Sequence, residues 1–194
     1  MFLIVDKKFE CAMIDKNVAG KKGMVAMKKM VVSILVRNTF GVRSRVAGLF
    51  ARRGYNIDSL TVSETEENGF SRMTIVVSGE DEVLEQIRNQ LSKLVDVREI
   101  TVLKDGESVC RELILCKVAV GVESRQQVIA IADVFRAKIV DVSNDSMMIE
   151  LTGNQAKLDA FIGLLEGFEI KELVRTGITG LTRGRADMLA GEFD

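Results

Sequence analysis

The chain has 194 residues, 47% of them hydrophobic and 28% charged, with 27 basic against 28 acidic side chains. That balance fits one or two globular domains with a real core. No stretch gathers basic residues as a polynucleotide footprint would, and no apolar run approaches the length of a membrane span, so neither nucleic acid nor membrane is an expected partner.

Residues 1–29 read as a loosely held leader. The segment "KKGMVAMKKM" carries three Met and four Lys without an amphipathic period, and Met24, Met27 and Met30 each offer an alternative start to Met1. A chain lacking everything before Met30 is expected to fold. "FLIV" near the start is cut short by Asp6, which argues against a secretory signal. Three cysteines, an odd number without such a signal, point to a reducing, cytoplasmic setting.

From Val31 the pattern becomes regular. "VVSILVR" is a buried strand. Val42, Val46, Leu49 and Phe50 then fall on one helical face, with Arg43, Arg45, Arg52 and Arg53 on the other and Gly54 at the end. "NIDSLTVSET" and "SRMTIVVSG" alternate as strands around an Asn-Gly hairpin signal in "EENGF". Val83, Leu84, Ile87, Leu91 and Leu94 mark a second amphipathic helix, and "DVREITVL" a closing strand. The order is βαββαβ.

The second half repeats it. "RELILCKVAV" is a strand, and Val128, Ile131, Ala132 and Phe135 form a helix face. "KIVDVS" and "SMMIELTG" pair around an Asn-Asp turn. Leu158, Phe161, Ile162 and Leu165 form the last helix face before the strand "FEIKELVR". The expected class is α+β: two βαββαβ units over 30–105 and 106–185, each an antiparallel sheet with two helices on one face. "TGITGLTRGRADMLAGEFD" is Gly-rich and reads as a partly mobile tail, with 186–194 outside the second unit. Cys110 and Cys116 lie on one strand, roughly 20 Å apart, too far to share a disulfide or a metal, and both read as buried small hydrophobes.

This topology serves many functions, so function must come from sites. RNA binding needs aromatic residues on the central strands, whereas the strand around Met73 offers Met, Ile and Val, and the chain has one Tyr and no Trp. No histidine is present and the cysteines are scattered, so a soft-metal site has no ligand set. Ser and Arg in "GVRSR" and "LTRGRAD" have no activating base nearby, and neither common nucleotide-binding glycine motif occurs. The chain reads as not catalytic on its own.

One loop stands apart. "RNTFGVRSR" links the first strand to the first helix. A helix N-terminus has free N–H groups and a partial positive charge that suit a carboxylate. Gly41 allows close backbone approach, Asn38 offers a donor and an acceptor together, and Thr39 adds a hydroxyl. The same residues also suit an ordinary strand-to-helix turn. The second unit has no Asn at the matching place in "AVGVESRQQ".

"SILVRNTFGVRSRVAGLFARRGYNIDSLTVSETEENGFSRMTIVV" and "LEQIRNQLSKLVDVREI" closely resemble the regulatory small subunit of acetohydroxyacid synthase (acetolactate synthase). "GLFARRGYNIDSLTV" and "QLSKLVDV" are the most specific parts. The likeness continues through "RELILCKV", "FRAKIVDVS", "GNQAKLDAFI" and "RTGITGLTRG", from Val31 to about Arg185. The resemblance implies an N-terminal ACT domain, which binds small effectors, and a second ferredoxin-like domain. It implies no cofactor in this chain. Thiamine diphosphate, Mg2+ and FAD would belong to a catalytic large subunit that the small subunit binds and stimulates, conferring feedback inhibition by valine. It further implies a homodimer through the ACT domain, with the effector held across the dimer interface. Carried over by matching residues, Asn38, Gly41 and Val42 hold the effector, with Thr39 and Phe40 between them where relatives carry small or acidic residues. Asn56, with Ile57 beside it, faces the site from the neighbouring chain. A free-standing amino-acid-binding module acting on another partner stays open as the alternative.

Overall fold

The computed structural model describes residues 27–184. Most of the expected leader and the segment after Gly184 lie outside the described residues. Strand β1 (Lys28–Arg37) begins three residues ahead of Val31, so Lys28 and Lys29 belong to the sheet, paired with Gly79 and Ser78. Helix α1 (Val42–Arg53), β2 (Ser59–Glu64), β3 (Phe70–Gly79), α2 (Asp81–Leu91) and β4 (Val97–Val102) complete the first unit. Its sheet is antiparallel in the order β2-β3-β1-β4, so β2 and β4 are its edges. This is the ferredoxin-like arrangement.

Alternation along the strands decides what each face buries. Val32, Ile34 and Val36 of β1 and Met73, Ile75 and Val77 of β3 point to the helices. There they meet Val42, Val46, Leu49 and Phe50 of α1 and Leu84, Ile87 and Leu91 of α2. The periodic residues of both helices are thus the core. Gly54 ends α1 in the left-handed conformation, φ 69°, as its position predicts. The β2–β3 hairpin differs in detail. Five residues, 65–69, connect the strands, and Gly69 (φ 87°) has positive φ whereas Asn68 does not. A two-residue turn of the type favoured by Asn-Gly needs both. Backbone bonds between Thr65 and Phe70 and from Phe70 to Glu67 close the wider loop instead.

The second unit comprises β5 (Ser108–Ala119), α3 (Ser124–Phe135), β6 (Lys138–Val142), β7 (Ser146–Gly153), α4 (Gln155–Leu164) and β8 (Ile170–Arg175), in the same sheet order, β6-β7-β5-β8. Ile114, Cys116 and Val118 of β5 face Val128, Ala132, Leu158 and Phe161 of the helices, and the rings of Phe135 and Phe161 meet edge to face at 5.4 Å. Glu112 is buried at the edge of this core. Arg175 pairs with it through two hydrogen bonds, 2.9 and 3.2 Å, and also reaches Asp159.

Two expectations are corrected here. The first part of the Gly-rich tail is ordered: residues 179–182 form β9 (Thr179–Thr182), which pairs with Ser108, Val109, Cys110 and Arg111 of β5. Four residues, two of them threonines and one a glycine, are too short and too polar to announce a strand. The pairing depends on β5, some seventy positions away. Cys110, on this two-stranded ribbon, is only half-buried, so the reading of a buried small hydrophobe holds for Cys116 alone. Burial pushes the Cys116 thiol up to about 11.

The ribbon and the segment leading into it lie against the first sheet on the face turned away from α1 and α2. Ser33, Leu35, Thr74 and Val76 point to that face and are buried, and Ile178 is buried there too. The chain therefore covers part of its own open sheet face.

Candidate functional site

Residues 38–42 form the turn from β1 into α1. Asn38 is fixed by its backbone N–H, which donates to the Gly69 carbonyl at 2.7 Å. Gly41 is the N-cap of α1, left-handed at φ 84° and ψ −10°. A Cβ there would meet little, Arg45 Nη1 at 3.7 Å, so it is the backbone angle and not crowding that calls for glycine. Val42 is 1% exposed and its side chain belongs to the core, so only its backbone can reach a ligand.

The first turn of α1 carries no acidic residue and no side-chain cap. The Val42 N–H reaches the Thr39 carbonyl only at 3.4 Å. Helices α2 and α4 differ: Asp81 and Glu82 sit in the first turn of α2, and Asn154 caps α4. Helix α3 shares the uncapped, acid-free first turn, but its N-cap is Glu123 in the right-handed conformation where α1 has left-handed Gly41. The N-terminus of α1 thus keeps its partial positive charge, with the Arg43 guanidinium beside it. Arg45 is tied to Asp96 at 2.7 Å.

Asn38 has neighbours that sequence did not announce. Its Nδ2 donates to Glu64 Oε1 at 3.1 Å, and its Oδ1 accepts from Arg43 Nη2 at 3.4 Å. A carboxylate, an amide and a guanidinium therefore meet above the helix start. That set is complementary to a zwitterion: Glu64 and Asn38 Oδ1 suit an ammonium, and the α1 N–H groups and Arg43 suit a carboxylate. Glu64 closes β2, twenty-six positions from Asn38, and only the hairpin brings it there. Thr39 is exposed, and Phe40 is 102% exposed and points away from any enclosed space.

Asn56 and Ile57 are not in this cluster. Ser59 pairs with Val76, which pairs with Val31, whereas Glu64 pairs with Ser71, which pairs with Val36. The segment before β2 therefore lies at the opposite end of the sheet from Asn38, roughly 20 Å away along a six-residue strand. Asn56 is exposed and donates to Asp58 Oδ1 at 3.1 Å, while half-buried Ile57 packs against the core. A single chain does not bring the two groups together.

Two cavities, of about 660 and 400 Å3, lie instead at the junction of the units. Both are bounded by Lys29, Glu112 and Ile178, and neither includes residues 38–42 or 56–57. Both are wide open, and the cations on their walls are engaged: Lys28 with Asp81, Lys29 with Gln155, Lys104 with Glu107, Arg111 with the Cys110 carbonyl and Arg175 with Glu112.

Residues 32–99 match the family described as "AHAS small subunit-like ACT domain", and residues 111–184 the family described as "Small subunit of acetolactate synthase". A "Probable acetolactate synthase small subunit" of Methanothermobacter thermautotrophicus is 49% identical over 159 residues, 81% of this chain and 95% of that one. The "Acetolactate synthase small subunit" of Mycobacterium bovis is 50% identical over 157 residues, 81% of this chain and 94% of that one. Among solved structures, the acetolactate synthase small subunit of Thermotoga maritima superposes with a TM-score of 0.75 at 43% identity, over 81% of this chain and 98% of that one.

Proposed function

The chain belongs to the acetolactate synthase small-subunit family, and from that membership we propose that it binds valine at the α1 N-terminus and passes the signal to a catalytic large subunit, which it also stimulates. The observation that carries the reading is the uncapped, acid-free start of α1 behind left-handed Gly41, with Asn38, Glu64 and Arg43 grouped beside it. Acetolactate synthesis, with thiamine diphosphate, Mg2+ and FAD, belongs to the large subunit.

In this reading valine's carboxylate accepts from the backbone N–H groups at the start of α1, and its ammonium replaces Asn38 Nδ2 on Glu64. The apolar side chain needs a wall that one copy lacks. Strand β2 supplies the route to it. As an edge strand it presents unpaired N–H and C=O groups along one side, and Leu60 on it is 39% exposed. Two copies related by a two-fold axis can pair β2 with β2 antiparallel. The start of one β2 then lies beside the end of the other. Asn56 and Ile57 of the second copy come next to Glu64 and Asn38 of the first, which closes the roughly 20 Å gap. A branched side chain is worth about 0.8 kcal/mol per buried CH2 equivalent, so discrimination among valine, leucine and isoleucine will be modest.

The test is titration of the purified chain with valine by calorimetry, followed by assay of the reconstituted enzyme with and without valine. Micromolar to millimolar valine binding, with inhibition over the same range, supports the reading. A chain that binds no branched-chain amino acid and leaves the large subunit's activity unchanged overturns it.

A further inference from the structure

Between β8 and β9 the chain crosses from the second unit to the first, and it lands on β2. Ile178 is gripped there on both sides of its backbone. Its N–H donates to Ser59 Oγ at 3.2 Å, and its carbonyl accepts from Thr61 Oγ1 at 2.9 Å. Ser59 and Thr61 alternate on the strand and face away from the helices, so both hydroxyls address the crossing segment. Gly177 is required here twice over. Its φ is 84°, and a Cβ would run into Ser59 Oγ and Thr61 Oγ1. The far end is as firmly held. The Thr176 N–H donates to the Leu113 carbonyl at 3.0 Å, the Leu113 N–H donates to Thr176 Oγ1 at 3.1 Å, and Arg175 pairs with buried Glu112.

We infer that this crossing segment is a strap that couples effector occupancy in the first unit to the second unit, with Ser59, Thr61 and Gly177 as its positioning residues. The inference rests on the effector reading given above. Strand β2 follows directly on Asn56 and Ile57, and the Asn56 amide already holds Asp58, the residue before Ser59. At its other end β2 finishes in Glu64 beside Asn38. A ligand that recruits either end of β2 therefore acts on the strand to which Ile178 is tied. Within one chain β2 has a single sheet neighbour, β3, and it is the edge strand that carries the contacts to Ile178. Hydroxyls that grip a backbone N–H and C=O together transmit a shift along the strand, and the Arg175–Glu112 pair receives it in the second unit.

Coupling between separate sites in proteins typically amounts to about 5- to 150-fold in affinity. The test uses the intact small subunit with its large subunit and the double variant Ser59→Ala/Thr61→Val, which removes both hydroxyls and keeps the strand's bulk. Gly177→Ala, which pushes the strap off β2 by a different route, is the second variant. Valine affinity of the small subunit alone is expected to stay within about threefold of wild type, while the valine concentration for half-inhibition rises by at least about fivefold. Hydrogen exchange gives a readout that a merely structural role would not move. Valine should still slow exchange at residues 38–42 in the variants but no longer alter it in β5 and β8. Inhibition and exchange responses equal to wild type in both variants would overturn the strap, as would loss of valine binding itself. A wild-type protein that neither binds valine nor is inhibited would overturn the effector reading, and the wild-type arm identifies that failure separately.

Discussion

At Gly41 a backbone angle of φ 84° and an uncapped helix start coincide, and the consequences of replacing that residue can be stated. In Gly41→Asp the new carboxylate stands beside Arg45 and the first N–H groups of α1, where the ligand's carboxylate would bind. Two like charges about 4 Å apart repel by about 1 kcal/mol in water and about 4 kcal/mol at an effective dielectric of 20. The site is open, so the lower part of that range applies, with competition for the same donors added to it. Valine affinity by calorimetry is expected to fall at least tenfold, and thermal unfolding should stay cooperative. Glu64→Gln tests the other end of the ligand. It should weaken valine binding through loss of the ammonium's partner while retaining a hydrogen bond to Asn38. The turn through Asn38 and Gly41 into α1 was legible in the sequence because local turn chemistry marks it. Glu64 was not, since it reaches Asn38 only through the β2–β3 hairpin, and a Glu at the end of an alternating strand looks like any solvated residue.

Cys116 offers a pH test at the same scale. Its thiol, buried between β5 and the helices, rises from 9.0 to about 11. The folded protein therefore holds the proton in a range where the unfolded chain releases it. The contribution to stability is fully present below pH 9 and is lost as pH rises from 9 to 11. Two pH units correspond to about 2–3 kcal/mol as an upper figure. Chemical denaturation at pH 8 and pH 10.5 should show a steeper loss for wild type than for Cys116→Ala. The native thiol should also resist alkylation at pH 8.

Among the elements, the helices and the long strands were readable because each repeats its apolar residues with its own period. Val42, Val46, Leu49 and Phe50 are the buried face of α1, and Leu158, Phe161 and Leu165 are buried at α4. β9 was not readable. "TGLT" carries one large apolar residue, and its partner strand is remote in sequence. Gly180 on β9 is where that pairing is tightest. A Cβ there would lie 2.8 Å from both Cys110 Sγ and Leu103 Cδ1 and 3.0 Å from the Val109 carbonyl oxygen. The backbone oxygen cannot yield as a side chain can. Gly180→Ala should therefore cost about 1–3 kcal/mol, measured by urea denaturation. The start of β1 was also misjudged. A chain beginning at Met30 lacks the pairing of Lys28 and Lys29 with β3 and the Lys29–Gln155 contact at 2.8 Å to the second unit. It should be less stable than one beginning at Met27 by about 1 kcal/mol.

For the whole molecule, the repeat of βαββαβ in the sequence foretold two similar units but not how they meet. The family match over both halves is what separates a subunit of acetolactate synthase from a free-standing effector sensor. Contacts between the units use polar side chains on an edge strand and a glycine-rich crossing, and neither has a periodic signature. The central claim is that each valine site takes residues 38–42 from one copy and Asn56 from the other. Its most direct measurement is valine calorimetry on a one-to-one co-expressed mixture of Gly41→Asp and Asn56→Ala chains. Each variant alone should bind little valine. In a mixed dimer one site carries both substitutions and the other carries neither. Random pairing should thus restore about one quarter of the wild-type number of sites, at wild-type affinity. A mixture that binds no more valine than the separate variants, with mixed dimers verified by mass spectrometry, would contradict a site shared between copies.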